Sequence, residues 1–533
     1  MEKIIIYLNK IKKNWNKIIL DESTRNYIKF NKNKFKKNRF LIKKASIVLI
    51  DLFYHPPFIH FWGIIANYLI EKHNINTKFF YFPLHETRFT KYNFSIYRIK
   101  KIYDSLNIRE GINEINFKHN ANEIKNLEKK YLSIKNKKNL QEFKYKNIKI
   151  GDLIYDTYLR TKFSPTIDLS DKTLFRIFYR CIKNFDEINH FFQRNKVKLI
   201  LPSHTNYIQY GLIVRIANKK NIPVVMIHSR NRGNNEFRLK LIRKDFPGET
   251  NLGFLSYRKD FRKLKNKKKL RNKAMEFLEK RLKGKNKLSY LKVSPYILRK
   301  KNKNIFLKNK KKNIIIFAQC FFDAPHRFRK MIFTDTYEQI KFLCELSEYF
   351  PQYNWYLKPH PNTLNDNSPI YEKHFINNYK NVIFLDKNIS NLEIIKNGIE
   401  IAITNNGTIA HELPYYKIPV INTGDNIQIK YNFNLHAKNT SQLVRFISKI
   451  EHFKKTINFD KKNLFEFIYM HYLNENIKNP ENLYIKDFFF AKKNIFKNID
   501  QRIFEYYVKN HKKIYDKIFK YLDLFFYKNK ISI

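Results

Sequence analysis

The stretch "KPHP", residues 358–361, sets one imidazole between two prolines at the end of an apolar run. Proline fixes its own φ and restricts the preceding residue to extended backbone. His360 is therefore held on a stiff turn. That suits a group that donates a hydrogen bond or a proton to a phosphate as negative charge develops on it. Lys358 adds positive charge beside it, and Pro361 completes the turn. A rigid strand-ending turn without chemistry is the competing reading, and the prolines fit both.

A second stretch, "TNNGTIAHELPYYKIPVINTGDN" (404–426), places Asn406, Gly407 and Thr408 where an apolar strand gives way to a helical pattern. Free N–H groups at a helix start suit a phosphate. Glycine allows close backbone approach, and the Thr408 hydroxyl can donate to a phosphate oxygen. Glu412, one turn on, is placed to accept from ribose hydroxyls. An ordinary helix cap followed by a surface glutamate is the alternative.

Two further stretches carry acids and bases. "FAQCFFDAPHRF" (317–328) holds Asp323 and His326. "IGDLIYDTYLR" (150–160) spaces Asp152, Asp156 and Arg160 four residues apart, on one helical face. Asp152, Asp156, Asp323 and His326 are all candidates for the general base on an acceptor hydroxyl, while Arg160, with Asp156 beside it, would bind an anionic acceptor. For the helical face alone, an ion pair on a solvated helix, worth about 0.2–0.5 kcal/mol, is the competing reading.

These residues need elements to position them. "SIVLIDLFYH" (46–55), "NTKFFYFPL" (76–84), "VKLILPSH" (197–204) and "IPVVMIHS" (222–229) read as strands, with helices at 58–74 and 207–220. From 231 to 312 the pattern weakens into charged sequence with one helix at 267–283, a basic linker or crossover. The alternation resumes with strands at 313–320, 353–360, 381–385, 400–404 and 418–422. Apolar strands alternating with amphipathic helices predict an α/β fold of parallel, doubly wound sheets. The organisation expected is an N-terminal Rossmann-like domain over 1–230, the linker, a second Rossmann-like domain over 313–455, and a helical extension over 456–533. In 501–527, Phe504, Tyr507, Val508, Ile514, Ile518, Tyr521, Leu522 and Phe525 recur at helical steps above a lysine-rich face. That face either packs across the domains or lies on an anionic membrane.

The 533 residues carry a net charge of +59, from 105 Lys+Arg against 46 Asp+Glu. Charge alone suggests nucleic acid. The basic residues are spread along the chain with no RGG box, zinc knuckle or RNP pattern, so no nucleic-acid partner is expected. An anionic substrate or lipid surface fits the charge equally well. Cys181, Cys320 and Cys344 have no metal-ligand or redox spacing, which points to a reducing compartment. The N-terminus lacks a signal-peptide pattern.

Taken in order, "GDLIYDTYLR", "FFDAPH", "KPHPN" and "GTIAHELPYYKIPVINTGDN" resemble bacterial capsule and surface-carbohydrate biosynthesis proteins. These are GT-B glycosyltransferases, similar to the capsular Kdo transferases and the HP-motif sialyltransferases. The resemblance runs from about residue 150 to about 440. It implies two Rossmann-like domains facing a cleft, with the acceptor on the N-terminal side and a nucleotide-sugar on the C-terminal side. His360 and Pro361 would contact the donor phosphate, and Gly407, Thr408 and Glu412 would hold the nucleotide. The implied chemistry is metal-independent and needs no cofactor. It is transfer of a sugar, a CMP-linked acidic one among the candidates, to a glycan or lipid-linked acceptor. The implied place is the cytoplasm, at the inner face of the membrane. A teichoic-acid type polyol-phosphate transferase and an inactive capsule-assembly scaffold are the alternatives. One departure stands out: Gln319 occupies a position where the family pattern has histidine.

Overall fold

The computed structural model describes residues 20–42, 45–53, 56–84, 91–114, 121–231, 235–242, 252–285, 294–297, 305–327, 330–360, 368–474, 482–485 and 499–532. Two parallel sheets organise them. The first is built from β1 (Ile47–Asp51), β2 (Asn76–Tyr81), β3 (Arg109–Asn113) and β6 (Val197–Leu201), in the order β3-β2-β1-β6. A two-residue hairpin, β4 (Lys144–Tyr145) with β5 (Ile148–Lys149), precedes β6. The second sheet is built from β9 (Lys312–Phe317), β10 (Tyr353–Lys358), β11 (Val382–Phe384), β12 (Ile399–Thr404), β13 (Val420–Asn422) and β14 (Leu435–His436). Its order is β11-β10-β9-β12-β13-β14. Every pairing within these two sheets is parallel.

The strands are apolar on both faces because helices cover both sides. All five residues of β1 are buried, and Ile314, Ile315 and Ile316 of β9 are fully so. Each such isoleucine contributes about 1.5–3 kcal/mol by leaving water. One apolar core runs from Leu49, Ile154 and Phe178 in the first unit to Ile314, Trp355 and Ile401 in the second. The architecture is the expected α/β one of two Rossmann-like units.

Two expectations meet a different outcome. The strand expected at 222–229 becomes β7 (Val225–Asn231). It pairs antiparallel with β8 (Asn235–Leu241), which in turn pairs with β15 (Asn482–Ile485). This small sheet joins the first only through a parallel bridge, Ile200 to Val224. β8 lies within the stretch read as a linker. Its Phe237, Leu239 and Leu241 alternate with Glu236, Arg238 and Lys240, a strand period masked by the surrounding charge.

The helical extension also divides. The helix Lys461–Ile468 packs Phe465, Phe467 and Ile468 against Leu278 and Leu282 of the helix Lys267–Leu282. The helix Ile499–Lys528 instead returns to the first unit, on the helices Glu22–Lys34 and Pro56–His73. Phe504, Tyr507, Ile514, Ile518, Leu522 and Phe525 are buried there, and the Phe504 ring stacks on Tyr27 at 4.4 Å. Its apolar face is thus used in packing. No described helix is long and apolar enough to cross a membrane.

Candidate functional site

In open parallel sheets, ligands bind beyond the C-terminal strand ends, where the strand order reverses. In the second sheet that switch point lies between β9 and β12. Gln319 follows β9 and Thr404 ends β12. The Thr404 hydroxyl donates to the Phe317 carbonyl at 3.2 Å and accepts from the Gly407 N–H at 3.3 Å. The Gln319 amide lies 3.5 Å from the same hydroxyl. A Cβ on Gly407 would sit 2.7 Å from Thr404 Oγ1 and 3.0 Å from Gln319 Nε2. Glycine is required there by space, since its φ is −67°.

The helix expected at 407–417 is two four-residue 3₁₀ turns, Thr408–His411 and Leu413–Tyr416. The dipole argument for phosphate therefore weakens, because so short a turn aligns few peptides. A different feature replaces it. Asn405 Oδ1, both amide atoms of Asn406, Thr423 Oγ1 and Asn426 Nδ2 are buried without a hydrogen-bond partner among the described residues. Asn405 and Asn406 follow β12, and Thr423 and Asn426 follow β13. A dry, unpaired polar group costs about 1–3 kcal/mol, so a cluster of them calls for ligand or water.

Glu412 is not a surface residue. It is 1% exposed, and both carboxylate oxygens are engaged. Arg281 Nε donates to one at 2.6 Å and the Tyr296 hydroxyl to the other at 2.7 Å. Arg281 Nη2 also reaches Thr408 Oγ1 at 3.3 Å. Burial disfavours the guanidinium charge, and Glu412 outweighs it, so the Arg281 pKa is raised. Lys358, buried, ends β10, and its carbonyl accepts from the Ala318 N–H at 3.0 Å. His360 therefore lies two residues beyond the end of β10. Pro361 lies outside the described residues.

The helix Gly151–Lys162 stands between the two units. Asp152, Asp156 and Arg160 do share a face, but it is not solvated, as Asp152 is 8% and Asp156 2% exposed. Asp152 is held bidentately by Arg215 at 2.5 and 2.6 Å. Burial works against its charge, and Arg215 overrides burial to hold it below the usual carboxylate range. Arg160 Nη1 is buried without a hydrogen-bond partner among the described residues.

Asp156 meets His326 from the second unit, Oδ1 to Nδ1, at 2.5 Å. His326 Nε2 lies 2.7 Å from the Thr334 carbonyl, which can only accept, so Nε2 carries a proton. One further proton then lies between Nδ1 and Asp156. Burial raises the Asp156 pKa, and that carboxylate raises the pKa of His326 against its own burial. Both directions keep the proton in the pair. Nearby, Asp335 caps the helix Thr336–Glu348 through the Glu338 N–H at 2.8 Å. It also accepts from Tyr155 at 2.5 Å and Thr166 at 2.6 Å in the first unit. Asp323 stays half-exposed, 3.5 Å from Arg327. Tyr207, which opens the helical segment after β6, is raised in pKa by burial and lies in the fields of Asp323, Arg160 and Asp156.

The first sheet has its own switch point, between β1 and β6. Asp51 ends β1 and is 2% exposed. The Ser203 hydroxyl and N–H, beyond β6, both donate to Asp51 Oδ2. Ser203 Oγ lies 3.0 Å from His204 Nδ1. Burial, opposed by the Ser203 hydrogen bonds, pushes the Asp51 carboxyl up to about 7.

No family model matches the chain, and no curated protein matches it. Solved structures do. The beta Kdo 2,4 transferase KpsC of Thermosulfurimonas dismutans is similar at 10% identity and TM-score 0.34, over 52% of this chain and 79% of that one. The UDP-GlcNAc 2-epimerase of Neisseria meningitidis, bound to UDP-GlcNAc, is similar at 11% identity and TM-score 0.23, over 80% of this chain and 97% of that one. The wall teichoic acid polymerase TagF is similar at 10% identity and TM-score 0.21, over 95% of this chain and 99% of that one. At such scores no residue role carries over from these proteins.

The structure thus gathers the sequence candidates into two groups. Asp156, Arg160, Asp323 and His326 meet at the boundary between units. Asn406, Gly407, Thr408 and Glu412 follow β12 at the switch point of the second sheet, with Lys358 at the end of β10 and His360 two residues beyond it. Asp152 is drawn off to Arg215. Sequence reasoning missed Asp51, Ser203, His204, Arg281 and Asp335. Signals existed for some. Asp51 closes an apolar run, as does the Ser203–His204 pair. Arg281 stands in the apolar stripe that Leu278 and Leu282 define.

Proposed function

We propose that this chain is a glycosyltransferase of capsule or other surface polysaccharide synthesis. It moves a sugar from a nucleotide-activated donor in the second unit to a hydroxyl of a glycan or lipid-linked acceptor in the first. The observation that carries this reading is the pair of parallel sheets, each with a polar switch point, whose post-strand loops converge on the helix Gly151–Lys162. The loop after β6 and the turn after β9 both pack on that helix. The unpaired amides and hydroxyl of Asn405, Asn406, Thr423 and Asn426 supply hydrogen bonds for a nucleotide. His360, one strand away, donates to the phosphate as the sugar–oxygen bond breaks. The resemblance carried by "KPHPN" and "GTIAHELPYYKIPVINTGDN" supports a donor of this kind, with CMP first among the nucleotides. A cytoplasmic place against the membrane is part of the proposal, and the net charge of +59 supports it.

The test is thermal stabilisation of the full chain by CMP, CDP, UMP, UDP and GDP, with His360→Ala and Asn406→Ala alongside. A ligand that binds only the folded state raises Tm. A shift with one nucleotide, reduced in both variants, is the expected result. No shift with any nucleotide overturns the reading.

A further inference from the structure

We infer that Asp51, Ser203 and His204 form a proton relay at the switch point of the first sheet, through which His204 takes the proton of an acceptor hydroxyl. The inference rests on the transferase reading for its substrate. The geometry of the three groups stands apart from it.

The order of the groups is what matters. In a hydrolase triad the histidine stands between acid and serine. Here the serine stands in the middle. Its hydroxyl proton points to Asp51 Oδ2. Its oxygen is then left to accept from His204 Nδ1–H at 3.0 Å. A serine so placed donates to one group and accepts from the other, which lets it pass a proton between them. With Nδ1 turned inward, Nε2 lies on the opposite side of the ring. His204 is partly exposed, and among the described residues Nε2 has no hydrogen-bond partner. Phe53 at 5.4 Å and Tyr210 at 5.1 Å hold the ring. Three residues on, Tyr207 lies in the field of Asp323 of the second unit, so this loop reaches the boundary where donor and acceptor would meet.

The step balances. The acceptor O–H bond breaks and its proton binds His204 Nε2. His204 Nδ1 passes its proton to Ser203 Oγ, and Ser203 passes its own to Asp51 Oδ2. The acceptor oxygen's electron pair forms the bond to the sugar carbon. The pair of the breaking carbon–oxygen bond leaves with the phosphate. The imidazole ends neutral with its tautomer reversed, and Asp51 ends as a neutral carboxyl. Burial favours that neutral carboxyl. His204 would be the catalytic residue, and Asp51 and Ser203 position and receive the proton. Among the described residues, the titratable groups next to Asp51 include Tyr103, with Tyr27 and its partner His60 beyond it. Tyr103 donates to the Asp51 carbonyl at 2.8 Å, and Tyr27 lies in the field of Tyr103.

Two measurements on the full chain test this. The first is the rate at which diethyl pyrocarbonate modifies His204, read by peptide mass spectrometry across pH in wild type, Asp51→Asn and Ser203→Ala. An ionised Asp51 should make Nε2 more nucleophilic through the serine. The wild-type rate should exceed both variants several-fold above pH 8 and approach them near pH 5. Equal rates in all three proteins at every pH overturn the relay, whatever the protein's activity. The second is sugar transfer with whichever donor nucleotide gives a thermal shift. His204→Gln should lose about 100-fold or more in kcat while the nucleotide shift is kept. Ser203→Ala and Asp51→Asn should lose the acid limb of the pH profile. Transfer at the wild-type rate in His204→Gln also overturns the relay. A wild type with no nucleotide shift condemns the transferase reading instead, and the modification rates still decide the relay.

Discussion

Asp156 of the first unit and His326 of the second meet at 2.5 Å across the boundary, both side chains buried, with one proton between them. The bond ties the helix Gly151–Lys162 to the turn that follows β9. Removing one partner leaves the other buried with nothing to answer it. His326→Ala should cost about 3–5 kcal/mol, measured as a fall in the urea midpoint. His326→Gln, which can still reach Asp156, should cost less.

Asp51 gives a stability that depends on pH with a definite sign. Its carboxyl rises from 3.8 to about 7 on folding, so the native state binds the proton more tightly. The stabilisation is fully present below pH 3.8 and is lost as pH rises towards 7. Asp51→Asn keeps a neutral acceptor for Ser203 at every pH. It should therefore be more stable than wild type at pH 8, on the order of 2–4 kcal/mol, with the difference shrinking towards pH 5. Denaturation at the two pH values checks this. A variant equally unstable at both would mean that Asp51 is not held as a neutral acid.

Arg281 and Glu412 should behave as one unit. Arg281→Ala strands a carboxylate that is 1% exposed and should cost about 3–5 kcal/mol. Adding Glu412→Gln to that variant should restore part of the loss, because the stranded charge is gone. The double-mutant cycle in urea would measure their coupling.

Asn406 should trade stability for binding. Its amide atoms are buried with no hydrogen-bond partner among the described residues, so Asn406→Ala breaks no described hydrogen bond, while an unpaired buried amide costs about 1–3 kcal/mol. The variant should melt at or above the wild-type temperature without nucleotide and shift less with it. A variant that melts several degrees lower would show that the amide is satisfied by structure.

The sequence by itself determined the alternation of strands and helices, both parallel sheets and the placing of candidates beyond strand ends. Those readings rest on local patterns. A strand buried on both faces, such as "NIIIF" or "IVLI", is apolar along its whole length, and a helix such as Gly151–Lys162 repeats at four-residue steps. Only the tertiary structure decided what each acid and base touches. Asp152, Asp156 and Arg160 look alike on one helical face. Yet Arg215 takes Asp152, while His326, 170 residues from Asp156, takes that one. Glu412 read as a ribose ligand, with a surface glutamate as the alternative, until Arg281 and Tyr296, from a stretch that read as linker, closed over it. Asp51 became a candidate only when β6 was laid beside β1 and brought Ser203 to it across 152 residues. A charge's role depends on its desolvation and on its partner, and both are set by which distant segments pack together, which no local spacing encodes.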